Sequence, residues 1–205
     1  MLASITPLGE RGRRNRWELT VAAYELGSLA GGAAMGVTFG ALGLALRETL
    51  LSSTMGRAVL AAAVTVSALL LEVAHARGRL ALPTVGRQVD KAWLDRYRGW
   101  VYGAGFGVQL GAGLVTIVNS AATYALVGVI LVLGSPLGGL VVGGAFGLAR
   151  ALPLLVFGRA ADFAGLQRAH RRLERLGRQA LAGTLAALAA ASIALVAVSV
   201  AASAH

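Results

Sequence analysis

Long apolar runs separated by short arginine-rich stretches set the pattern of this chain. A membrane-crossing helix needs about 20 apolar residues. On that scale a first run covers Val21 to Leu46 and a second covers Ala58 to His75. An apolar block then extends from Trp100 to Gly134, followed by Ser135-Pro136, a run from Leu137 to Gly158, and an uncharged Ala-rich run from Leu181 to Ala204. As one straight helix the block at 100–134 would measure about 50 Å, too long for about 30 Å of hydrocarbon. It is expected to break near 116–123, where Thr116, Asn119, Ser120 and Thr123 interrupt the apolar character. The predicted fold is all-α: a polytopic transmembrane helix bundle with about five crossings.

Composition agrees with the pattern and removes whole classes of function. Of the 205 residues, 57% are hydrophobic and 14% charged, whereas in soluble domains roughly a quarter are charged. The chain has no Cys, so it holds no disulfide framework, no thiolate metal site and no thiol redox chemistry of its own. A formal net charge of +10 raises the question of nucleic acid, and its placement answers it. Almost all basic residues fall in three clusters, Arg11 to Arg16, Arg77 to Arg98 and Arg159 to Arg178, each beside an apolar run. That is juxtamembrane charge, not the basic face of a soluble binding module, and no nucleic-acid partner is expected.

Basic loops mark the cytoplasmic side of a membrane protein. Placing the three clusters there puts the N-terminus inside and the C-terminus outside the cell membrane. The alternation closes only if 100–134 crosses once, as a broken helix. The chain then reads as a single integral membrane domain over 1–205, with 1–76 and 100–205 as two halves around a basic loop at 77–99. Within 159–178, Phe163, Leu166, His170, Leu173 and Leu176 recur at helical spacing between arginines. That pattern predicts an amphipathic surface helix drawn to anionic lipid headgroups. Trp93, Tyr97 and Trp100 share a helical face, as rings at headgroup level do.

Glycine recurs every fourth residue in three of the proposed crossings: Gly32, Gly36, Gly40; Gly103, Gly107, Gly111; and Gly139, Gly143, Gly147. Residues four apart share one helical face, and a face without side chains lets helices approach closely. These positions are expected to pack helices together. No glycine pattern sits in a strand-to-helix context that would bind a nucleotide.

Charge inside a bilayer is costly and usually marks a partner or a function. Glu25, Glu72, His75 and Arg150 fall within the apolar runs, and Arg150 is expected to pair with Glu25 or Glu72. Thr116, Asn119 and Ser120 form a second candidate group, a polar break near the midplane. Glu72 and His75 could also relay a proton, since His titrates near neutral pH. His170 and His205 stand apart from them, so neither a metal site nor a cofactor is expected. The Ser and Thr residues have no context that singles out a nucleophile, and no enzymatic activity is expected.

Leu2-Ala3-Ser4-Ile5-Thr6-Pro7-Leu8, the stretch Gly103 to Thr123, and the Gly-rich stretches Gly27 to Gly43 and Gly138 to Arg150 with Ala151-Leu152-Pro153 together resemble the transmembrane part of the CcdA/DsbD family of cytochrome c biogenesis. The resemblance implies two inverted three-helix repeats, a 3+3-like design with broken helices. Leu2 to Leu8 would be the tail of a first broken helix, so that one crossing is missing or a longer start would supply a sixth. The family's electron relay is not implied: Leu8 follows Pro7 where a Cys would stand, and the exchange requires a thiolate.

Two functional readings follow. One is a non-catalytic membrane subunit or scaffold that supports a larger complex or a redox or biogenesis partner, or forms a homo-oligomer. The other is a small-solute or ion permease with its site at the polar break. The sequence leans slightly to the first. A cysteine-less role in transmembrane redox chemistry is a third.

Overall fold

The structure is a computed structural model that describes residues 5–49, 53–80, 93–113, 120–159 and 163–203. These residues are helical, with no strand among them. Four helices are long and apolar enough to cross a membrane, with spans Trp17–Arg47, Thr54–Ala76, Pro136–Val156 and Ala164–Ala197. The chain is an all-α membrane protein.

Local chemistry explains most of the helix ends. Helix α1 (Pro7–Gly12) begins where the Thr6 side chain accepts the Gly9 N–H at 3.1 Å and Pro7 supplies a preset first-turn φ. Thr6 and Pro7 therefore open a helix, where the family resemblance implied the tail of one; residues 1–4 lie outside the described residues. Arg14, at φ 58°, turns the chain sharply into α2 (Trp17–Thr49). The 33 residues of α2 make it about 50 Å long. Ser53 caps α3 (Thr54–Ala76) by accepting the Gly56 N–H at 3.2 Å. A single turn, α4 (Trp93–Arg96), precedes α5 (Gly99–Gly111).

The apolar block at 100–134 is interrupted as expected. After α5 the backbone turns at Gly113, whose φ of +70° is left-handed. It becomes helical again as α6 (Ala122–Leu133). Gly134, at φ +59°, then ends α6. Ser135 and Pro136 start α7 (Pro136–Ala151), the Ser135 hydroxyl oxygen accepting the Gly138 N–H at 3.1 Å. Pro153 has no N–H to continue α7, and the chain tightens into a 3₁₀ segment, Leu152–Arg159.

One expectation fails here. The basic stretch of 159–178 and the apolar run from Leu181 form one continuous helix, α8 (Phe163–Ser203), about 60 Å long. No residue from Gly177 to Gly183 caps or breaks a helix apart from the two single glycines at its ends, each of which a helix tolerates at a cost of about 1 kcal/mol. The amphipathic segment is thus the extension of the last apolar helix, not a separate element.

Helix α2 is the hub. It packs antiparallel to α7, with Ser28, Gly32, Gly36 and Gly40 against Gly147, Gly143, Gly139 and Ser135 in turn. It runs parallel to α5, with Thr20, Tyr24 and Ser28 against Gly103, Gly107 and Gly111. Near its C-terminal end Gly43 meets Leu131 of α6. So α5 lines the N-terminal half of α2, α6 finishes beside its C-terminal end, and the interruption falls beside its middle. Helix α6 packs on both α2 and α3, and α8 packs mainly on α3.

Candidate functional site

The interruption between α5 and α6 brings together two of the chain's intramembrane charges, Glu72 and Arg150. An α-helix leaves its first N–H groups and its last carbonyls without internal partners. In a bilayer no water is available to satisfy them, and each unsatisfied group costs several kcal/mol. A break therefore needs donors and acceptors from neighbouring helices.

Glu72 meets the restart of α6. Its side chain is 2% exposed. Its carboxylate oxygen Oε2 accepts the Ala121 N–H and, at 3.1 Å, the Ser120 hydroxyl. The same Ser120 oxygen accepts the Ala122 N–H at 3.2 Å. Carboxylate and hydroxyl thus serve the first amides of α6, where the helix dipole favours negative charge. Arg150 meets the other side of the break. Its Nη1 donates to the Gly113 carbonyl at 3.4 Å, just past the end of α5, and its guanidinium lies 5.5 Å from the centre of the Phe146 ring. Positive charge is favoured at that C-terminal end.

The direct pairing expected from sequence is absent. Among the described residues Arg150 makes no ion pair with Glu72 or Glu25: Glu72 accepts from Ser120 and Ala121, while one contact of Arg150 is the Gly113 carbonyl. Each charge instead serves a different end of one broken helix. Glu25, on α2, has one buried carboxylate oxygen without a hydrogen-bond partner among the described residues. His75, three residues after Glu72, takes no part in the break: its Nδ1 lies 3.0 Å from the Leu80 carbonyl, closing the end of α3. Of the polar-break group, Ser120 is at the restart of α6, and Thr116 and Asn119 lie outside the described residues. Thr123 is buried in the first turn of α6, with its methyl carbon facing Gly113.

The nine glycines of the three repeats lie at helix contacts. A Cβ at Gly32, Gly36 or Gly40 would strike the backbone of α7 or of the turn before it; one at Gly139, Gly143 or Gly147 would strike α2. A Cβ at Gly103, Gly107 or Gly111 would strike the Thr20, Tyr24 or Ser28 carbonyl. Ser28, fully buried, uses the closeness to donate its hydroxyl to the Gly147 carbonyl at 2.7 Å.

A second polar cluster escaped sequence reading. Glu10 of α1 is fully buried, accepts the Thr20 hydroxyl at 3.0 Å and the Tyr102 hydroxyl, and pairs with Arg13 at 3.2 Å. Asn15 donates to the Tyr102 hydroxyl at 3.4 Å. Gly99 leaves the room: a Cβ there would enter the space of Thr20, Asn15 and Glu10. The cluster ties α1 to the starts of α2 and α5. Nothing in the sequence separates Glu10 from the charged N-terminal segment around it, and Tyr102 is 92 residues away.

No group of three or more His, Cys, Asp or Glu side chains is placed to hold a metal ion among the described residues. Comparison with protein families, curated proteins and solved structures finds no match for the chain.

Proposed function

We propose that this membrane protein is a permease that passes a small solute or ion across the bilayer at the α5–α6 break. The observation that carries the reading is the interrupted helix beside the middle of α2, with a buried carboxylate at one end and a guanidinium at the other. Broken helices in transporters present helix ends and unwound backbone to a substrate near the midplane. Buried intramembrane charge is expensive to keep, which favours a functional role. In this reading α5 and α6 form one crossing, giving five, with the arginine-rich ends cytoplasmic as the positive-inside rule directs. Ser120 would offer its oxygen to the passing species, and Glu72 and Arg150 would set the charge it meets.

Reconstitution into liposomes tests this, with tracer flux measured for protons, monovalent cations, small anions and small neutral solutes. Flux of one of these, reduced at least tenfold by Ser120→Leu or Glu72→Gln in protein that still folds, is the expected result. Absence of flux for all of them would reject the permease.

A second reading, a non-catalytic subunit of a larger membrane complex, draws on α8. Its apolar half packs mainly on α3 and leaves Ile193 71% and Val200 62% exposed, a flank that a partner helix could cover. Extraction in mild detergent distinguishes the two, since a subunit would bring a stoichiometric partner with it. The family resemblance adds only the scaffold to either reading, because the chain supplies no thiol.

A further inference from the structure

Glu25 is an intramembrane charge that the α5–α6 break does not use. It is half-buried on α2, with Oε1 closed in and without a hydrogen-bond partner among the described residues. Its place in the packing follows from register. Glu25 precedes Gly32 by two turns and so continues the stripe of α2 that lies on α7. Gly36 meets Gly139 and Gly143, Gly32 meets Gly143 and Gly147, and Ser28 meets Gly147. Continued toward the start of α2, this antiparallel seam brings Glu25 level with the last turn of α7, residues 148–151. There α7 ends and the 3₁₀ segment begins. Pro153 has no N–H to offer that turn, and the C-terminal end of a helix carries partial negative charge. A carboxylate at this level meets more negative charge, not less.

The elements packed against α2 do not supply a counter-charge. On α7, Arg150 makes no ion pair with Glu25 among the described residues, and one of its contacts is the Gly113 carbonyl. On α1, Glu10 pairs with Arg13 just past the helix, and Arg11 is exposed. The titratable side chains of α5 and α6 are Tyr102, bonded to Glu10, and Tyr124. Arg159 closes the 3₁₀ segment, and its side chain lies outside the described residues. On α2 itself Tyr24 packs into the core with Tyr102 and Phe106. Glu18 stands two turns before Glu25 on the same stripe, exposed, and adds negative charge toward the start of the helix. A charge kept inside a bilayer without a partner in its own chain marks a functional site.

We infer that Glu25 anchors a site for an exchangeable monovalent cation, a proton or an alkali ion, which enters from the start of α2 past Glu18. The cation supplies the positive charge that the chain withholds. One further step rests on the permease reading: Glu25 and Arg150 are level with the same last turn of α7, so that occupation of the site would be felt at the break, and the bound cation would drive transport.

The test is modification of the full chain in phosphatidylcholine liposomes by dicyclohexylcarbodiimide, a membrane-soluble reagent that attacks a carboxyl group carrying its proton, with the modified residue read by peptide mass spectrometry. Glu25 should be modified about tenfold more than Glu72, whose Oε2 is taken by two donors, and Glu25→Gln should lose the modified peptide. Protection by sodium or potassium chloride at constant pH, relative to choline chloride, identifies an alkali ion. Protection only as the pH is raised identifies a proton. Failure of Glu25 to react, or a reaction that neither pH nor salt changes, would overturn the site. Because the readout is labelling and not flux, a responsive Glu25 in protein that passes no solute would reject the permease alone, and flux with an unresponsive Glu25 would reject the site alone.

Discussion

Glu72 and Arg150 each answer the need of a different helix end, and that division of labour makes a prediction opposite to the one a simple ion pair makes. Were they partners, exchanging them would restore the attraction. In Glu72→Arg/Arg150→Glu the guanidinium would instead face the Ala121 N–H and the carboxylate would face the Gly113 carbonyl. The double exchange should therefore unfold at a lower temperature than either single variant; recovery to near wild type would show a direct pair. Glu72→Ala alone leaves the Ser120 hydroxyl and the Ala121 N–H without their acceptor. Since a buried unsatisfied group costs about 1–3 kcal/mol, a loss of at least about 2 kcal/mol is expected in denaturant titration. Both charges were visible in the sequence as costly intramembrane residues. Their partners were not, because the contacts join residues 48 and 37 apart across a break whose placement is tertiary.

At the scale of elements, the glycine periodicity was legible and the partner helices were not. Spacing by four identifies a face, but which face meets which depends on how α2 divides its circumference: Gly27 and Gly31 against α5, and Gly32, Gly36 and Gly40 against α7 and the turn before it. One substitution should change sign with place. Gly183→Ala, with open space around its Cβ, should stabilise by about 0.5–1 kcal/mol through helix propensity. Gly36→Ala meets the Gly139 carbonyl and should destabilise by about 1–3 kcal/mol through overpacking. Thermal unfolding of both variants in one detergent checks the contrast, and equal shifts would mean that α2 and α7 are not in contact. In the sequence the basic and apolar stretches of α8 look like two elements because their composition changes abruptly. Composition alone does not end a helix, and no cap or proline stands between them.

For the whole molecule, the apolar runs were enough to show a helical membrane bundle, but not its arrangement. Helices α2 and α3 are consecutive, yet each packs chiefly on others, with α6 contacting both. That arrangement follows from the shift in course at the break, α5 lying against α2 and α7 and α6 lying against α2 and α3. The Glu10 cluster adds a tie between α1, α2 and α5 that no periodicity announces. Glu10→Ala would leave the Thr20 and Tyr102 hydroxyls and Arg13 without their shared acceptor, and should loosen the N-terminal segment enough to accelerate its cleavage by an added protease at Arg11 to Arg16. Unchanged cleavage would mean that the cluster does not hold α1 in place.

In the permease we propose, α5 and α6 are two halves of a single interrupted crossing. The natural absence of cysteine makes the direct measurement clean: single Cys residues at the exposed positions Arg98 and Leu137, labelled with a membrane-impermeant maleimide before and after permeabilisation of cells. An interrupted crossing places the two positions on opposite faces, so that Leu137→Cys labels in intact cells and Arg98→Cys only after permeabilisation. If both label from the same face, the segment enters and leaves the bilayer on one side, and the interrupted crossing is wrong.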